Sequence, residues 1–312
     1  MRPIICKPNY ISTIWAGNRL TKIRGLEIKD GKRIGIAREI CAYKNIENII
    51  AQGEYAGKNL RYLIDEHHEE LMGDDPATQL VRVAYIDAVD NLSIQVHPDA
   101  HYAETVENDF EKSESWYILD CDDGAYITAG TTITDKAKLR LAVENGTLEQ
   151  YVRRIPVKKG DFAMIPAGML HACGKHMLAL EIGSYGGITY RIYDYGRKRL
   201  LDIEKGFAVL DPSLQCQLRS FPIDNLPESG FKKQTAIEHP SFCVDVVDIV
   251  DYYDVEKGNT YTILTAVEGD ATVVADGEKY PLRYTYSMII PAIIKHFKVY
   301  GKCRILQSYK KL

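Results

Sequence analysis

The sequence LSIQVHPD, from Leu92 to Asp99, is the stretch from which fold and chemistry are best read. Its apolar residues alternate with Ser93, Gln95 and His97, which is the period of a half-buried β-strand. Pro98 ends the strand, because proline has no N–H to donate to a neighbouring strand. The pattern predicts that Gln95 and His97 project from one polar face. Taken alone, His97 fits an ordinary strand-end histidine better than a metal ligand.

Length and composition are those of a soluble globular protein with one large domain or two smaller ones. The chain has 312 residues, of which 46% are hydrophobic and 26% charged. A net charge of -4 provides no overall basic field, which argues against nucleic acid as a partner. No stretch approaches the roughly 20 apolar residues of a membrane span, so we expect no membrane association.

The N-terminus and the cysteines predict a cytoplasmic protein. MRPIICKPNY has no long apolar run and no small-residue cleavage site, so no signal peptide is expected. The seven cysteines are scattered and form no CxxC pair. This use of cysteine is typical of a reducing compartment and argues against both a disulfide framework and a thiolate zinc site.

The rest of the chain is rich in predicted strands, with two helical insertions. Turn signals recur every 8 to 12 residues towards the C-terminus, which favours a sandwich or barrel. Helices are expected at about 55–73 and 135–154, the latter N-capped by Thr134. The polar stretch between Pro98 and Glu111 is predicted to be an exposed loop.

A weak internal repeat predicts two similar β-barrels in tandem. PVKKGDFAMIPAGMLHACGKHMLALEI is echoed by YPLRYTYSMIIPAIIKHFKVYGKCRILQS, which places His171 and His296 at comparable points. The predicted organisation is a catalytic domain at 1–210, a connector at 211–240 and a second, degenerate barrel at 241–312. The second copy has no counterpart of Gln95, His97 or Glu114 ahead of it, so it is expected to lack a metal.

Four residues of the first barrel are candidate metal ligands: Gln95, His97, Glu114 and His171. Strand residues that face a barrel interior converge on its axis, so distant sequence positions can meet there. Two imidazoles, a carboxylate and an amide oxygen suit zinc, iron, manganese or nickel. The alternative interpretation of each residue is ordinary: a solvated carboxylate for Glu114 and a loop residue for His171.

Four ordered segments resemble a known family. LSIQVHPD, KSESWYILD, GDFAMIPAGMLHACGK and LEIGSYGGITYRIYDYGR are similar to the signatures of type I mannose-6-phosphate isomerases in their short bacterial form. The resemblance extends over nearly the whole chain. It implies a mainly β fold of two cupin (jelly-roll) barrels, and one Zn²⁺ per chain held by the four candidate ligands, with other divalent metals as alternatives.

The resemblance also implies a reaction and a set of catalytic residues. The reaction interconverts the phosphosugars mannose 6-phosphate and fructose 6-phosphate through a cis-enediol. Arg191 is implied as an active-site residue, and Lys112 and Glu181 are given roles beside it. Glu181 is the first choice for the base, with Lys112 as its electrostatic partner or alternative. Lys112, Arg191 and Arg82 are the expected phosphate donors.

The roles of Arg191 and Lys112 have alternatives, and several positions differ from the family pattern. Arg191 could instead pair with Asp194, and Lys112 could be an ordinary solvated lysine. Ser113 stands where the family usually has threonine, and Ala84 where it usually has lysine. The segment 183–187 reads GSYGG instead of a sequence like Gln-Ser-Ser-Asp, and IGIAREICAY also differs from the usual wording.

Two other functional classes fit the same residues. Two histidines and a carboxylate also suit the non-haem iron of a cupin oxygenase. A sugar-binding cupin that has lost turnover is the other alternative. No feature of the sequence favours one oligomeric state over another.

Overall fold

The computed structural model describes residues 1–27, 31–223 and 226–311, and the described chain is mainly β, as predicted. The strands are β1 (Cys6–Lys7), β2 (Asn9–Ser12), β3 (Ile34–Ile40), β4 (Ile49–Ile50), β5 (Arg82–Ala88), β6 (Ile94–Val96), β7 (Glu114–Cys121), β8 (Tyr126–Thr131), β9 (Val152–Pro156), β10 (Asp161–Ile165), β11 (His171–Cys173), β12 (Met177–Gly183), β13 (Tyr190–Tyr193), β14 (Leu218–Ser220), β15 (Phe231–His239), β16 (Phe242–Ile249), β17 (Tyr252–Glu256), β18 (Thr262–Glu268), β19 (Ala271–Ala275), β20 (Glu278–Leu282), β21 (Ser287–Ile290), β22 (His296–Tyr300) and β23 (Cys303–Tyr309).

The helices are few and short. They are α1 (Arg19–Arg24), α2 (Leu60–Glu66), α3 (His68–Leu71), α4 (Ala100–Glu107), α5 (Lys136–Glu144) and α6 (Ile203–Val209), and a 3₁₀ turn lies at Leu148–Gln150. None of these helices is long and apolar enough to cross a membrane. All seven cysteines are free thiols.

The chain forms two compact units, and each contains segments that are distant in sequence. The first, called the site unit, is Ile11–Ile36 with Tyr85–Ser220. The second unit is Met1–Tyr10 with Ala37–Ala84 and Phe221–Leu312. The predicted bounds 1–210, 211–240 and 241–312 follow sequence order, whereas β-sheets can join segments far apart in the chain. The linear domain bounds therefore stay a prediction.

The site unit is built on two facing sheets. The larger has the strand order β14-β10-β7-β12-β5-β3-β2 and the smaller β13-β6-β11-β8-β9. Buried residues of both sheets form the core between them, among them Ile118 of β7 and Ile127 of β8. Alternation along each strand sends one set of side chains into this core and the other away from it.

The second unit repeats this plan. Its sheets have the orders β15-β16-β23-β18-β21 and β17-β22-β19-β20, with a separate apolar core that includes Leu264 and Phe297. Both units have the same central arrangement of three strands. One central strand lies between the strand that precedes the Ile-Pro-Ala turn and the second strand that follows this turn. These are β10 and β12 around β7, and β21 and β23 around β18. The predicted pair of similar barrels is thus confirmed at the level of strand order.

Several local predictions were wrong. The expected loop between Pro98 and Glu111 contains helix α4, capped by Asp99, whose side chain accepts a hydrogen bond from Tyr102 N. Helix α5 is capped by Asp135 instead of Thr134, because the Asp135 carboxylate accepts hydrogen bonds from the first N–H groups. The expected helix at 147–154 is a 3₁₀ turn followed by β9. The predicted connector at 211–240 contains the nine-residue strand β15, and its place as a connector stays a prediction.

Candidate metal centre and active site

The sheet register places three of the predicted site residues in one row. Gln95 of β6 lies directly opposite Arg191 of β13 on one side and His171 of β11 on the other. Directly opposed residues of antiparallel strands project from the same face of the sheet. His97, just past the end of β6, is two residues from Gln95. Local alternation and strand order together therefore bring these side chains towards one point.

Glu114 reaches the same point from the facing sheet. It is the first residue of β7 and lies opposite Ile165 and Gly183. The ligand atoms of His97, Glu114 and His171 all lie within 4.8 Å of one another. The two histidine Nε2 atoms are 3.1 Å apart. Glu114 Oε2 lies 3.3 Å from His97 Nε2, and Glu114 Oε1 lies 3.5 Å from His171 Nε2. All three residues are buried.

The histidine tautomers leave lone pairs facing each other. His97 Nδ1 is 2.9 Å from Ile188 O, and His171 Nδ1 is 2.8 Å from Met169 O. A carbonyl oxygen only accepts hydrogen bonds, so each Nδ1 carries the proton and each Nε2 is left as a lone-pair donor. Histidine ligands of metals are commonly held by such a hydrogen bond on the other ring nitrogen.

Burial and local charge fix the protonation states of these residues. Burial, and then the charge of Lys112, lowers the pKa of His97 to about 3, and burial also lowers the pKa of His171. Burial alone would raise the pKa of Glu114, but the charge of Lys112 opposes burial, and that pKa lies well below its usual value. Neutral imidazoles and an ionised carboxylate are the forms that bind metals.

The residues present fit a divalent cation. Glu114 Oε1 is buried and accepts no hydrogen bond, while two imidazole lone pairs face the same space. A buried acceptor without a partner is costly, and a cation that several acceptors share removes the cost. Gln95 adds a fourth group, since its amide nitrogen lies 3.3 Å from His171 Nε2, and a half-turn of the amide places its oxygen there.

Lys112 and Glu181 adjoin this cluster. Lys112 Nζ is 2.9 Å from His97 Nε2 and also donates to Glu114 Oε2. It lies 3.8 Å from Glu181 Oε1, so a single ammonium contacts both carboxylates. Lys112 is buried, which excludes the ordinary solvated lysine. Glu181 lies opposite Trp116, on the same face as Glu114.

Arg191 is held beside the cluster by neutral partners. Its Nε donates to Ser93 Oγ at 3.2 Å, and Nη1 donates to Leu200 O at 2.9 Å. The alternative pairing with Asp194 is not found, because Arg197 and Arg199 bind that carboxylate. Arg82 is the third residue predicted to bind the phosphate. Its Cζ lies over the Tyr43 ring, 5.7 Å from the ring centroid.

Comparison with known proteins agrees with the fold. A mannose-6-phosphate isomerase of Streptococcus mutans is 31% identical over 313 residues, covering 98% of each chain. The chain belongs to the mannose-6-phosphate isomerase family. The family's sequence profile, "Mannose-6-phosphate isomerase, cupin domain", matches residues 232–310, which lie in the second unit.

Solved structures of mannose-6-phosphate isomerases share the whole fold. The Bacillus subtilis enzyme superposes with a TM-score of 0.87 at 30% identity and 99% coverage of both chains. A mannose 6-phosphate isomerase bound with zinc and yttrium has a TM-score of 0.77 at 15% identity, a likeness of fold alone. The predicted mainly β cupin fold is therefore confirmed, and the family supports a divalent metal in this chain.

The segment that differs from the usual mannose-6-phosphate isomerase pattern has a local structural reason. A Cβ on Gly183 would lie 2.6 Å from Ser113 O, and a Cβ on Gly186 would lie 2.2 Å from Glu111 O. Ser184 Oγ accepts a hydrogen bond from Ser113 N at 2.9 Å and donates to Glu111 O. The GSYGG segment thus packs tightly against the chain that leads into Glu114.

Sequence reasoning missed the groups that orient the ligands. Ile188 and Met169 act through their backbone carbonyls, which no side-chain pattern identifies. Trp116 packs edge-on against the His171 ring, with 5.6 Å between ring centroids. Its position two residues after Glu114 on the same strand face was the available signal.

Proposed function

We propose that this protein is a metal-dependent aldose–ketose isomerase that interconverts mannose 6-phosphate and fructose 6-phosphate through a cis-enediol. The observation that carries the proposal is the convergence of His97, Glu114 and His171 within 4.8 Å, in a chain of this family. The same membership favours the isomerase over the oxygenase and over a sugar-binding protein without turnover.

The proposed ligands are Nε2 of His97, Nε2 of His171, the Glu114 carboxylate and the amide oxygen of Gln95. We propose one Zn²⁺ per chain. Nitrogen and oxygen ligands with two imidazoles suit zinc, and one relative of the same fold is described as bound with zinc. Other divalent ions that accept this ligand set are alternatives. A bound divalent ion supplies Lewis-acid stabilisation of negative charge that develops on substrate oxygen.

The remaining residues divide between proton transfer and orientation. Glu181 is proposed as the base that moves the proton between C1 and C2, with Lys112 as its electrostatic partner or alternative. Support comes from the 3.8 Å between Lys112 Nζ and Glu181 Oε1. Arg191 is proposed to orient the substrate through its planar guanidinium, which Ser93 and Leu200 already fix in direction. Lys112 and Arg191 are also candidate phosphate donors.

A coupled assay for conversion of mannose 6-phosphate to fructose 6-phosphate tests both activity and metal. Turnover is expected in the purified protein, to be lost after chelation and to return when Zn²⁺ is added back. Turnover that resists complete removal of the metal, checked by elemental analysis, would defeat the metal role. No turnover of mannose 6-phosphate by fully loaded protein would defeat the proposed reaction itself.

We further propose a cytoplasmic location and a small phosphosugar as the principal ligand. Seven free thiols support the location, since reducing compartments keep cysteines unpaired. The net charge of -4 supports the absence of a nucleic-acid partner.

A further inference from the structure

The strand register of the second unit shows where a counterpart of the metal centre would lie. Glu114 lies opposite Ile165, the first residue of Ile-Pro-Ala, and Thr262 lies opposite Ile290, the first residue of the second Ile-Pro-Ala. Thr262 therefore occupies the place of Glu114. By the same comparison, His296 lies opposite Glu256 as His171 lies opposite Gln95.

Two of the four metal donors are lost at these positions. Threonine replaces the carboxylate of Glu114, and Gly258 stands two residues after Glu256, at the place of His97. His296 is about half exposed, and its Nε2 contacts Asp254 at 2.5 Å. Gln307 lies opposite Leu264, as Glu181 lies opposite Trp116, so an amide stands at the place of the proposed base.

A cavity nevertheless remains at this point of the repeat. It has a volume of about 360 Å³, and Glu256, Gly258, Thr262 and Gln307 are among its lining residues. This volume lies in the range of sites for small organic ligands. The rest of the lining has a chemistry of its own, with three tyrosines and with more lysines than carboxylates. The tyrosines and lysines are Lys233, Tyr253, Lys257, Tyr261, Tyr309, Lys310 and Lys311.

Asp245 supplies an unpartnered carboxylate oxygen next to this lining. It lies opposite Gln307, so both side chains project from the same face of the sheet. Asp245 is 0% exposed, its Oδ1 accepts no hydrogen bond, and Lys233 Nζ lies 2.9 Å from Oδ2. Tyr253 OH donates to Gln307 Oε1 at 2.9 Å, which leaves the Gln307 amide NH₂ to donate to a ligand.

We propose that the second unit binds a small phosphorylated polyol, without metal, in the cavity that corresponds to the metal centre of the site unit. The Asp245 carboxylate and the Gln307 amide bind hydroxyl groups at the floor. Lys233, nearest the floor, binds the phosphate as a point charge. Lys310 and Lys311 at the rim are paired with Asp75 and Glu238 and exchange those partners for the phosphate. This second site is independent of the isomerisation proposed above, because it uses none of its residues.

Titration calorimetry of the full-length, metal-loaded protein with glucitol 6-phosphate tests the proposal. This probe is a phosphorylated polyol that has no carbonyl group to isomerise. The wild-type chain and H171Q are both expected to bind it in the second unit. K233Q is expected to weaken that binding about tenfold or more, as loss of a charge-assisted hydrogen bond does, while K279Q, which changes an exposed lysine outside the cavity, leaves it unchanged.

Comparison of D245N with K233Q distinguishes binding at the floor of the cavity from binding at its rim. D245N is expected to weaken binding of glucitol 6-phosphate, because a neutral amide is a weaker acceptor of hydroxyl groups than a carboxylate. It is expected to leave binding of inorganic phosphate equal or tighter, because it removes a negative charge. K233Q is expected to weaken both. The proposal is overturned if H171Q binds no glucitol 6-phosphate, or if K233Q and D245N, folded by circular dichroism, bind it as the wild-type chain does. Either result would leave the isomerase assay of the loaded wild-type protein unaffected.

Discussion

Replacement of Glu114 by glutamine separates the charge of the proposed ligand from its shape. The change removes the carboxylate that lies 3.3 Å from His97 Nε2 and 3.5 Å from His171 Nε2, and it adds no bulk. Loss of a hydrogen-bonding partner outside the ligand set already weakens metal binding by about 10- to 100-fold. We therefore expect E114Q, which alters a ligand itself, to weaken binding by about 100-fold or more.

The expected effect can be expressed as the free energy by which metal binding stabilises the native protein. At a free Zn²⁺ concentration 100 times the wild-type Kd, binding stabilises the native wild-type protein by about 2.7 kcal/mol. A variant with a 100-fold weaker site would then be half saturated and gain only about 0.4 kcal/mol, from RT ln 2. Comparing metal-loaded with chelated protein for each variant cancels the cost of leaving Lys112 facing an amide.

Intrinsic fluorescence reports the relevant unit. The chain has two tryptophans, Trp15 and Trp116, and both lie in the site unit. Trp116 also packs against His171. Urea unfolding followed by tryptophan emission, with Kd measured separately by chelator competition, gives both quantities. E204Q, which alters an exposed carboxylate of the same unit, should behave as the wild-type chain. An E114Q protein that keeps the wild-type Kd and the full metal-linked gain would refute the ligand assignment.

Three further changes test the base and the packing. E181Q is expected to lower kcat by about 10²- to 10⁴-fold with metal content unchanged, and a parallel loss of metal would contradict its assignment as base. G183A places a Cβ 2.6 Å from Ser113 O and should lower the free energy of unfolding by about 1–3 kcal/mol in urea, whereas G258A, whose Cβ meets nothing within 4 Å, should not. R304M leaves Asp248 buried without its cation and should cost about 3–5 kcal/mol by the same measurement, while K279Q should change stability by less than about 0.5 kcal/mol.

The predictable part of the candidate site depends on local alternation. A period of two between Gln95 and His97 requires no knowledge of the rest of the chain, and the same period links Lys112, Glu114 and Trp116. The convergence of these strands could be inferred from barrel geometry alone. Alternation alone could not predict that Arg191, Gln95 and His171 lie side by side on three neighbouring strands. Strand order is decided by contacts between distant segments of the chain.

The helices were harder to predict from local pattern than the strands. Helix α4 buries only Ala103 among its eight residues, so the apolar periodicity by which helices are recognised is nearly absent. Its start is encoded by the capping residue Asp99, a signal that aspartate also gives in turns. At α5 two neighbouring residues, Thr134 and Asp135, are both good caps. The structure uses Asp135, whose side chain accepts hydrogen bonds from Ala137 N and Lys138 N.

The strand register shows features of the internal repeat that the sequence alignment alone does not. Alignment of the two Ile-Pro-Ala segments correctly paired His171 with His296, but similar positions did not mean similar surroundings: one is fully buried among ligands, the other half exposed against Asp254. Among the described residues of the second copy, a search for the same ligands finds His296 but no counterpart of His97 or Glu114, which suggests an inert barrel. The register instead reveals a retained cavity whose chemistry has changed, because Lys233 and Asp245 come from β15 and β16, strands that the repeat motif does not include. Loss of a metal donor set is therefore weak evidence for loss of a binding site when the barrel around it is still open.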